Sequence, residues 1–403
     1  MSSDNETGLL GRPLKVTIGL CAVVLSLGLA ACGGGSDDSS DDSGSGGNAE
    51  VTSPSDLKFS DFAEEGGVEG AKAYLKKVQD ESQIDFESFM PADSPAAAED
   101  KKIAVVLNGT DAQGAVRAAE GMEAAGEALG WEVDVTDGQF DPNVQSQAVL
   151  SAVTSQADGI VLDSISPVTV GGAVAKAASE GIPIVTTFDP GSNEVTEGVF
   201  GDASNGTFDG GMALGAWIAA KSNGKGRVVN VPDTSLGLTQ QRADGVAAGL
   251  KEFCPDCEIL ATEQNDIANM AGRLPSLTSS SIQKYGTDDL YMVAPFDAAA
   301  TFMIQGAKDA KAPYFPIVSM DGNQEALAAI ADKDYLAATW AAAAEWMGWE
   351  AMDQMNRAFA DEEPVQGTVP SLLVDESNLP PTGDDWAPDF DYESAYKELW
   401  GIE

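Results

Sequence analysis

The sequence predicts an α/β fold made of two doubly wound lobes, each with a parallel sheet covered by helices. Short apolar segments alternate with segments of helical spacing from residue 102 to about residue 203. The alternation then starts again and continues to a long helical segment that ends near residue 360. Strands that are apolar throughout suit a sheet covered on both faces, and regular alternation of strand and helix favours parallel pairing.

The first series begins with KIAVVLN, an apolar run typical of a buried strand. A helical segment follows and ends at Gly130, since glycine commonly terminates helices. In chain order, the remaining predicted elements are the strand WEVDVTD, the helix PNVQSQAVLSAVTSQ, the strand ADGIVLD, the helix VGGAVAKAASEG, the strand IPIVTTF and a short strand in GVFGD.

The second series begins with the helix TFDGGMALGAWIAAKSNG and repeats the pattern. Its further strands are GRVVNVP, CEILATE, DLYMVAP, FPIVSMDG and YLAATWA, and its further helices are TQQRADGVAAGLKEF, AGRLPSLTSSSIQKYG, DAAATFMIQGAKDAK, QEALAAIAD and EWMGWEAMDQMNRAF. Ligands of doubly wound sheets bind outside the carboxyl ends of the strands. Two such edges that face each other would form a cleft.

The composition excludes several classes of function. Of the 403 residues, 22 are basic and 65 are acidic, so the formal net charge is −43. Nucleic-acid phosphates repel such a chain, and we expect no nucleic-acid partner. The absence of histidine removes the commonest general base, the commonest zinc ligand and any Ser-His-Asp triad. We therefore expect neither a metal nor a cofactor.

The amino-terminal residues have the order of an export signal. Arg12 and Lys15 precede an apolar stretch, residues 16–31, which is shorter than the roughly 20 residues of a membrane-spanning helix. Small residues followed directly by Cys32 resemble the signal of bacterial lipoproteins. The resemblance implies a signal peptide over residues 1–31, a lipidated Cys32 and anchoring to the outer face of the cytoplasmic membrane. An ordinary secretory signal with an incidental cysteine is the alternative.

Two further segments precede the first predicted strand. Residues 32–55 contain almost no apolar side chains, which predicts a disordered tether. Residues 56–100 combine helical spacing with a proline-containing stretch, and we interpret them as a helical preface and linker to the core domain.

Cys254 and Cys257 are the cysteines within the predicted lobes. An exported protein meets an oxidising compartment, so we expect a structural disulfide between them. A zinc site would need further ligands. A redox pair would normally open a helix, whereas this pair lies between a helical segment and a strand.

Five segments carry a resemblance to a known family. They are KIAVVLNGTDAQGAVRAAEGMEAAGEALGWEVDV, QADGIVLDSISP, AASEGIPIVTTFDP, TQQRADGVAAGL and VSMDGNQEAL, in this order. Together they resemble the type I periplasmic solute-binding proteins of ABC importers, in the ribose/galactose-like branch, over about residues 101–378. The resemblance implies no enzymatic activity, hinge closure on a small polar solute, carbohydrate foremost, and an ABC permease as partner of a monomer.

The family's architecture also implies that the chain crosses between the lobes three times. The resemblance places an amino-terminal lobe at residues 101–203 plus 340–367. It places a carboxy-terminal lobe and tail at residues 204–339 plus 368–403. The crossovers would form a hinge, about which the lobes close.

The resemblance places four candidate solute-binding residues on the first lobe. Asp111 and Gln113 follow the first strand, and Phe188 and Asp189 end the fourth. Sugar-binding relatives carry stacking phenylalanines after the first strand, whereas residues 112–115 contain no aromatic side chain here. Asp111 and Gln113 would then bind the solute by hydrogen bonds; capping of the following helix by Asp111 is the alternative.

Six candidates lie on the second lobe and at the last crossover. They are Gln240, Arg242, Phe296, Asp297, Asp321 and Trp340. Carboxylates and arginine bind pairs of hydroxyls, and aromatic rings cover the apolar face of a sugar. Helix capping is the alternative for Asp297, and core packing is the alternative for Trp340.

Other functions are compatible with parts of this description. A sensor module for a membrane kinase or chemoreceptor would bind solute in the same way, and the solute could be a nucleoside or an amino acid. An extracellular hydrolase with paired carboxylates is a further class, but no nucleophile motif supports it.

Overall fold

The computed structural model describes residues 66–188, 197–233, 236–365, 367–381 and 383–402. The predicted signal peptide, the lipidation site Cys32, the tether and the candidate Asp189 lie outside these ranges. No helix within them is long and apolar enough to cross a membrane.

Strands and α-helices alternate along most of the described residues. The strands are β1 (Lys102–Leu107), β2 (Glu132–Asp137), β3 (Gly159–Asp163), β4 (Ile184–Thr187), β5 (Gly201–Ser204), β6 (Arg227–Asn230), β7 (Glu258–Thr262), β8 (Leu290–Val293), β9 (Ile317–Asp321), β10 (Leu336–Ala342), β11 (Gly367–Thr368) and β12 (Ser371–Asp375). The helices are α1 (Gly67–Val78), α2 (Gln113–Leu129), α3 (Pro142–Thr154), α4 (Gly171–Ser179), α5 (Thr207–Lys221), α6 (Gly237–Phe253), α7 (Met270–Tyr285), α8 (Asp297–Asp309), α9 (Gln324–Ala331), α10 (Ala344–Phe359) and α11 (Tyr392–Trp400).

The strands form two six-stranded sheets. The order in the first sheet is β2-β1-β3-β4-β5-β11, and all neighbours are parallel. The order in the second sheet is β7-β6-β8-β9-β10-β12, in which β12 runs antiparallel to β10 at the edge. The predicted fold class of two doubly wound, mainly parallel lobes is confirmed. In each sheet the strand order reverses next to the first strand, which is where ligands of such folds bind.

Helix α10 follows the second sheet in the chain but packs on the first lobe, against α2, β4 and β5. Two glycines allow α2 and α10 to approach closely. A Cβ atom on Gly121 would lie 2.1 Å from the carbonyl oxygen of Glu345, and one on Gly348 would lie 2.3 Å from that of Ala118. Both distances are far shorter than van der Waals contact, so this helix crossing requires glycine at both positions.

The linker that follows helix α1 contacts the first lobe, where Nδ2 of Asn356 on α10 donates to the carbonyl oxygen of Pro95 at 2.8 Å, whereas helix α1 itself packs on the second lobe. Its Tyr74 ring stacks on Phe253 of α6, with 5.9 Å between the ring centroids. The disulfide between Cys254 and Cys257 follows directly and closes the turn between α6 and β7.

The chain passes between the two sheets at residues 205–206, 343 and 369–370 within the described ranges. The middle passage lies later than the predicted boundary between residues 339 and 340. Strand β10 continues in the second sheet because its last residues pair with β12, where Ala342 lies opposite Ser371.

The segment 368–403, predicted as part of the carboxy-terminal lobe and tail, divides between the two lobes in the structure. Strand β12 joins the second sheet, but α11 packs on α10. Aromatic residues four apart give α11 one apolar face. On that face, the Trp400 ring stacks on Trp349 of α10 with 5.5 Å between the centroids. The burial of these large rings against α10 places the helix with the first lobe.

Candidate functional site

The two lobes meet where the amino terminus of α2 faces the carboxyl end of β9. A Cβ atom on Gly114 of α2 would lie 3.3 Å from Cγ of Asp321. Nearby, Nη1 of Arg117 donates to Oδ1 of Asn323 at 3.4 Å. The junction therefore brings the carboxyl end of the second sheet against the helix that follows the first strand.

Asp321 is the central residue of this junction. It ends β9 with a φ of 131°, a backbone conformation that side chains rarely adopt, and Gly322 follows with a φ of 80°. Such local strain is frequent at ligand-binding positions. The Asp321 side chain is 11 % exposed and accepts a 3.1 Å hydrogen bond from Nη2 of Arg242. Burial raises the pKa of Asp321, and the charges of Arg242 and Arg117 oppose that rise.

Arg242 lies on α6 and is buried. Its Nη1 donates to the carbonyl oxygen of Pro295 at 2.7 Å. Its Nε has no hydrogen-bond partner among the described residues. A buried donor without a partner is costly to the folded state. Asp321 and Arg242 thus offer acceptors and a donor side by side.

Asp163 is a further carboxylate that the sequence reasoning did not identify. It ends β3 at the corresponding edge of the first sheet and is fully buried. Its Oδ1 accepts hydrogen bonds from Thr187 Oγ1 at 2.6 Å and Ser164 Oγ at 3.2 Å. Its Oδ2 has no partner in the described part of the chain. Burial raises the pKa of Asp163 to about 7, although these hydroxyls lower it. An aspartate directly after an apolar strand was the available signal.

Asp297 has a different role from the predicted solute contact. Its carboxylate is buried and accepts four hydrogen bonds. They come from Ser319 Oγ, from Thr339 Oγ1 at 2.8 Å, from Gly322 N at 2.8 Å and from Asn323 N at 2.8 Å. With both oxygens used by the protein, Asp297 holds the turn that carries Asp321. It does not cap α8 either, because Phe296 occupies the N-cap position. Burial, with repulsion from Asp321, raises the pKa of Asp297 to about 7.

Asp111 and Gln113 are exposed at the start of α2, directly before Gly114. The helix begins at Gln113 after Ala112, without a side-chain capping bond. Asp111 therefore does not cap the helix, and its side chain lies at the rim of the junction.

The three aromatic candidates are all buried. Phe188, at the end of β4, has a φ of 51°, and its backbone N–H donates to Ala203 O at 3.0 Å. Phe296 is 4 % exposed at the start of α8. Trp340 packs against α5, where a Cβ atom on Gly210 would lie 2.4 Å from its Cδ1 atom. This contact places Trp340 in the core of the second lobe, in agreement with the alternative of core packing.

Gln240 lies apart from this cluster. Its side chain is exposed and its Nε2 donates to Oδ1 of Asp244 at 2.9 Å, along the surface of α6. Residues two apart on a helix point in nearly opposite directions, and Arg242 is the one directed inward. The structure therefore does not bring Gln240 together with Asp321.

Arg117 is a second residue that the sequence reasoning missed. It is 3 % exposed, and its Nε and Nη2 each donate at 2.8 Å to the carboxylate of Glu345, which lies in the first turn of α10. Burial lowers the pKa of Arg117, but the hydrogen bonds and charge of Glu345 outweigh it and raise the pKa. The guanidinium is thus a permanent cation at the junction between α2, α10 and the turn after Asp321.

A separate groove of about 930 Å³ runs along α7 on the second lobe. Its lining includes Glu263, Asn265, Arg273 and Lys284, and none of the candidate residues. Arg273 is held there by the carbonyl oxygen of Gln264. The groove therefore does not belong to the Asp321 cluster.

Comparison with known proteins identifies the family. The model of the periplasmic binding protein domain matches residues 103–363, so this chain belongs to that family of solute-binding proteins. A curated relative, a xylitol-binding protein of Mycolicibacterium smegmatis, is 25 % identical over 219 residues. That match covers 54 % of this chain and 61 % of the relative, which is less than two thirds of the relative's length.

Solved structures agree on the fold. An ABC transporter solute-binding protein of Agrobacterium vitis with bound allitol is 18 % identical, with a TM-score of 0.62 over 70 % of this chain and 97 % of its own. An ABC transporter solute-binding protein of Mycobacterium smegmatis with bound glycerol is 21 % identical, with a TM-score of 0.62. The match covers 71 % of this chain and 99 % of that protein.

Proposed function

We propose that the protein is an extracytoplasmic receptor that captures a small polyhydroxylated solute between its lobes and delivers it to an ABC permease. The observation that carries this proposal is the buried Asp321–Arg242 pair, against which Gly114 of the other lobe packs. A carboxylate and a guanidinium together recognise adjacent hydroxyls, since one accepts and the other donates. A solute held by both lobes stabilises their closed arrangement.

The solute class that we favour is an acyclic polyol or a small sugar. The relatives named above bind or contain xylitol, allitol and glycerol. Residues 112–115 offer no aromatic ring for stacking on a pyranose. Recognition by hydrogen bonds from Asp321, Arg242 and Asp163 suits a chain of hydroxyls, which has no flat apolar face to cover.

The remaining expectations complete this proposal. Lipidation of Cys32 would anchor the receptor to the outer face of the cytoplasmic membrane, and residues 32–55 would serve as its tether. The receptor would act as a monomer and carry out no reaction on the solute. Its lobes would close about the three passages of the chain between the sheets.

Thermal unfolding in the presence of candidate solutes tests the function. The panel contains xylitol, allitol, glycerol and galactose, with adenosine and an amino acid as other chemical classes. A solute at 100 times its dissociation constant stabilises the folded state by about 2.7 kcal/mol, which is a readable shift in Tm. A panel in which no polyol or sugar changes the Tm would contradict the proposal.

The variant Asp321→Asn tests the site itself. It removes the charge that accepts from Arg242, so we expect the solute-induced shift to disappear, with binding weakened by about 100-fold or more. Asp309→Asn is the matched control, because Asp309 is an exposed carboxylate on α8 of the same lobe. Equal solute affinity in both variants would remove Asp321 from the binding site.

A further inference from the structure

Residues 383–386, which we name the strap, lie against the turn that follows Asp321. Three hydrogen bonds hold the strap to this part of the second lobe. They run from Trp386 N to Gly322 O at 2.9 Å, from Gln324 N to Asp385 Oδ1 at 2.6 Å and from Gln324 Nε2 to Gly383 O at 2.9 Å. The Trp386 side chain is buried at this contact.

The strap also contacts the first lobe, through Arg117 of α2. Nη2 of Arg117 donates to the carbonyl oxygen of Trp386 at 2.9 Å. Nε of Arg117 lies 3.6 Å from Oδ2 of Asp385. Asp385 therefore directs one carboxylate oxygen to each lobe, and its side chain is 39 % exposed.

Helix α11 fixes the carboxyl-terminal side of the strap to the first lobe. Nε1 of Trp400 donates to Oδ1 of Asp353 at 2.9 Å, and Oη of Tyr396 donates to Oε2 of Glu350 at 2.5 Å. Both acceptors are buried on α10. Separation of the lobes would therefore break the hydrogen bonds between the strap and the second lobe, or detach a helix that is well packed.

We propose that the strap is a conformational latch, which stabilises the closed arrangement of the lobes and slows the release of solute. This inference rests on the proposed function for its effect on binding. Solute and strap both connect the lobes, so each favours the arrangement in which the other binds. The strap contacts the turn after Asp321, and its role is to set the residence time of the solute.

The test compares Asp385→Ala with Asp384→Ala. Both variants lose one acidic residue of the same segment, but Asp384 is exposed and Asp385 bridges the lobes. Hydrogen–deuterium exchange of the solute-free protein is measured over residues 112–117 and 321–326, one segment on each lobe. Asp385→Ala should exchange faster in both segments, and Asp384→Ala should match the wild type.

Release of xylitol, followed by stopped flow, gives the second readout. Loss of a charged, partly exposed bridge should speed release about three- to tenfold. Gln324→Ala, which removes only the bond from Nε2 to the strap, should show a smaller change in the same direction and replaces Asp385→Ala if that variant fails to fold.

Wild-type exchange rates in both segments of Asp385→Ala would overturn the latch. If the wild type binds no solute of the panel, the proposed function fails, while the exchange measurement still decides whether the strap holds the lobes together.

Discussion

The buried carboxyl of Asp163 should make the stability of the protein depend on pH. Its pKa is raised by burial from 3.8 to about 7, and its Oδ2 has no partner among the described residues. The folded protein therefore binds a proton more tightly than the unfolded chain does. Protonated Asp163 stabilises the fold below pH 4, and this stabilisation is lost as the pH rises through about 7.

The magnitude follows from the two pKa values. Each tenfold difference in proton affinity corresponds to about 1.4 kcal/mol, so the contribution of Asp163 should fall by about 2–3 kcal/mol between pH 5 and pH 8. Asp163→Asn cannot titrate and keeps the shape of the side chain. Its free energy of unfolding should accordingly decrease less over this interval than that of the wild type.

Urea unfolding at pH 5, 6, 7 and 8 measures the effect. Asp134→Asn serves as control, because Asp134 is an exposed carboxylate on β2 of the same sheet. The free energy of unfolding of Asp134→Asn should change with pH in the same way as that of the wild type. If the unfolding free energy of Asp163→Asn changes with pH as that of the wild type does, within about 0.5 kcal/mol, Asp163 does not carry the pH dependence.

Two substitutions test the junction of the lobes. Gly114→Leu should weaken solute binding by at least about tenfold in calorimetric titration, because even a Cβ atom there would lie 3.3 Å from Cγ of Asp321. Gly172→Leu is the control, since Gly172 is likewise the second residue of a helix but has no atom within 4 Å of its Cβ position. Equal solute affinities of the two variants would show that the lobes do not meet at Gly114 when solute binds. Asp297→Ala should lower the free energy of unfolding by about 3–5 kcal/mol in urea, since buried donors lose their acceptor, and a loss below about 1 kcal/mol would contradict its role in holding the turn.

The alternation of strands and helices was predictable because parallel strands are buried on both faces and therefore read as apolar runs. The elements at the end of the chain were harder to predict. Strand β12 is short, and its antiparallel partner β10 lies about thirty residues upstream, so no local pattern reveals the pairing. Helix α11 looks like an ordinary amphipathic tail, and only the tryptophans of α10 determine which lobe it covers.

The sequence indicates a candidate residue where a residue type and a strand end coincide, as at Asp321, whose contact with solute stays a prediction. Arg117 was missed because its helix reads as amphipathic, and its burial results from Glu345, which lies far along the chain. For Asp297, the predicted contact with solute and the hydrogen bonds in the structure differ. Its position at a strand end suggests solute contact, but Ser319 and Thr339 of two neighbouring strands use its carboxylate. Hydrogen bonds between distant segments decide the role of such residues, and sequence spacing does not contain them.

The crossings of the chain between the sheets have a consequence for biogenesis. Gly367 of β11 pairs with Ala203 of β5, and α10 packs on α2. Neither contact can form until β11 and α10 have been synthesised. The first lobe is therefore incomplete until nearly the whole chain has been synthesised. Contacts so distant in sequence form slowly, and we expect the first lobe to stay incompletely packed during most of translation, which is a favourable state for passage through a membrane channel.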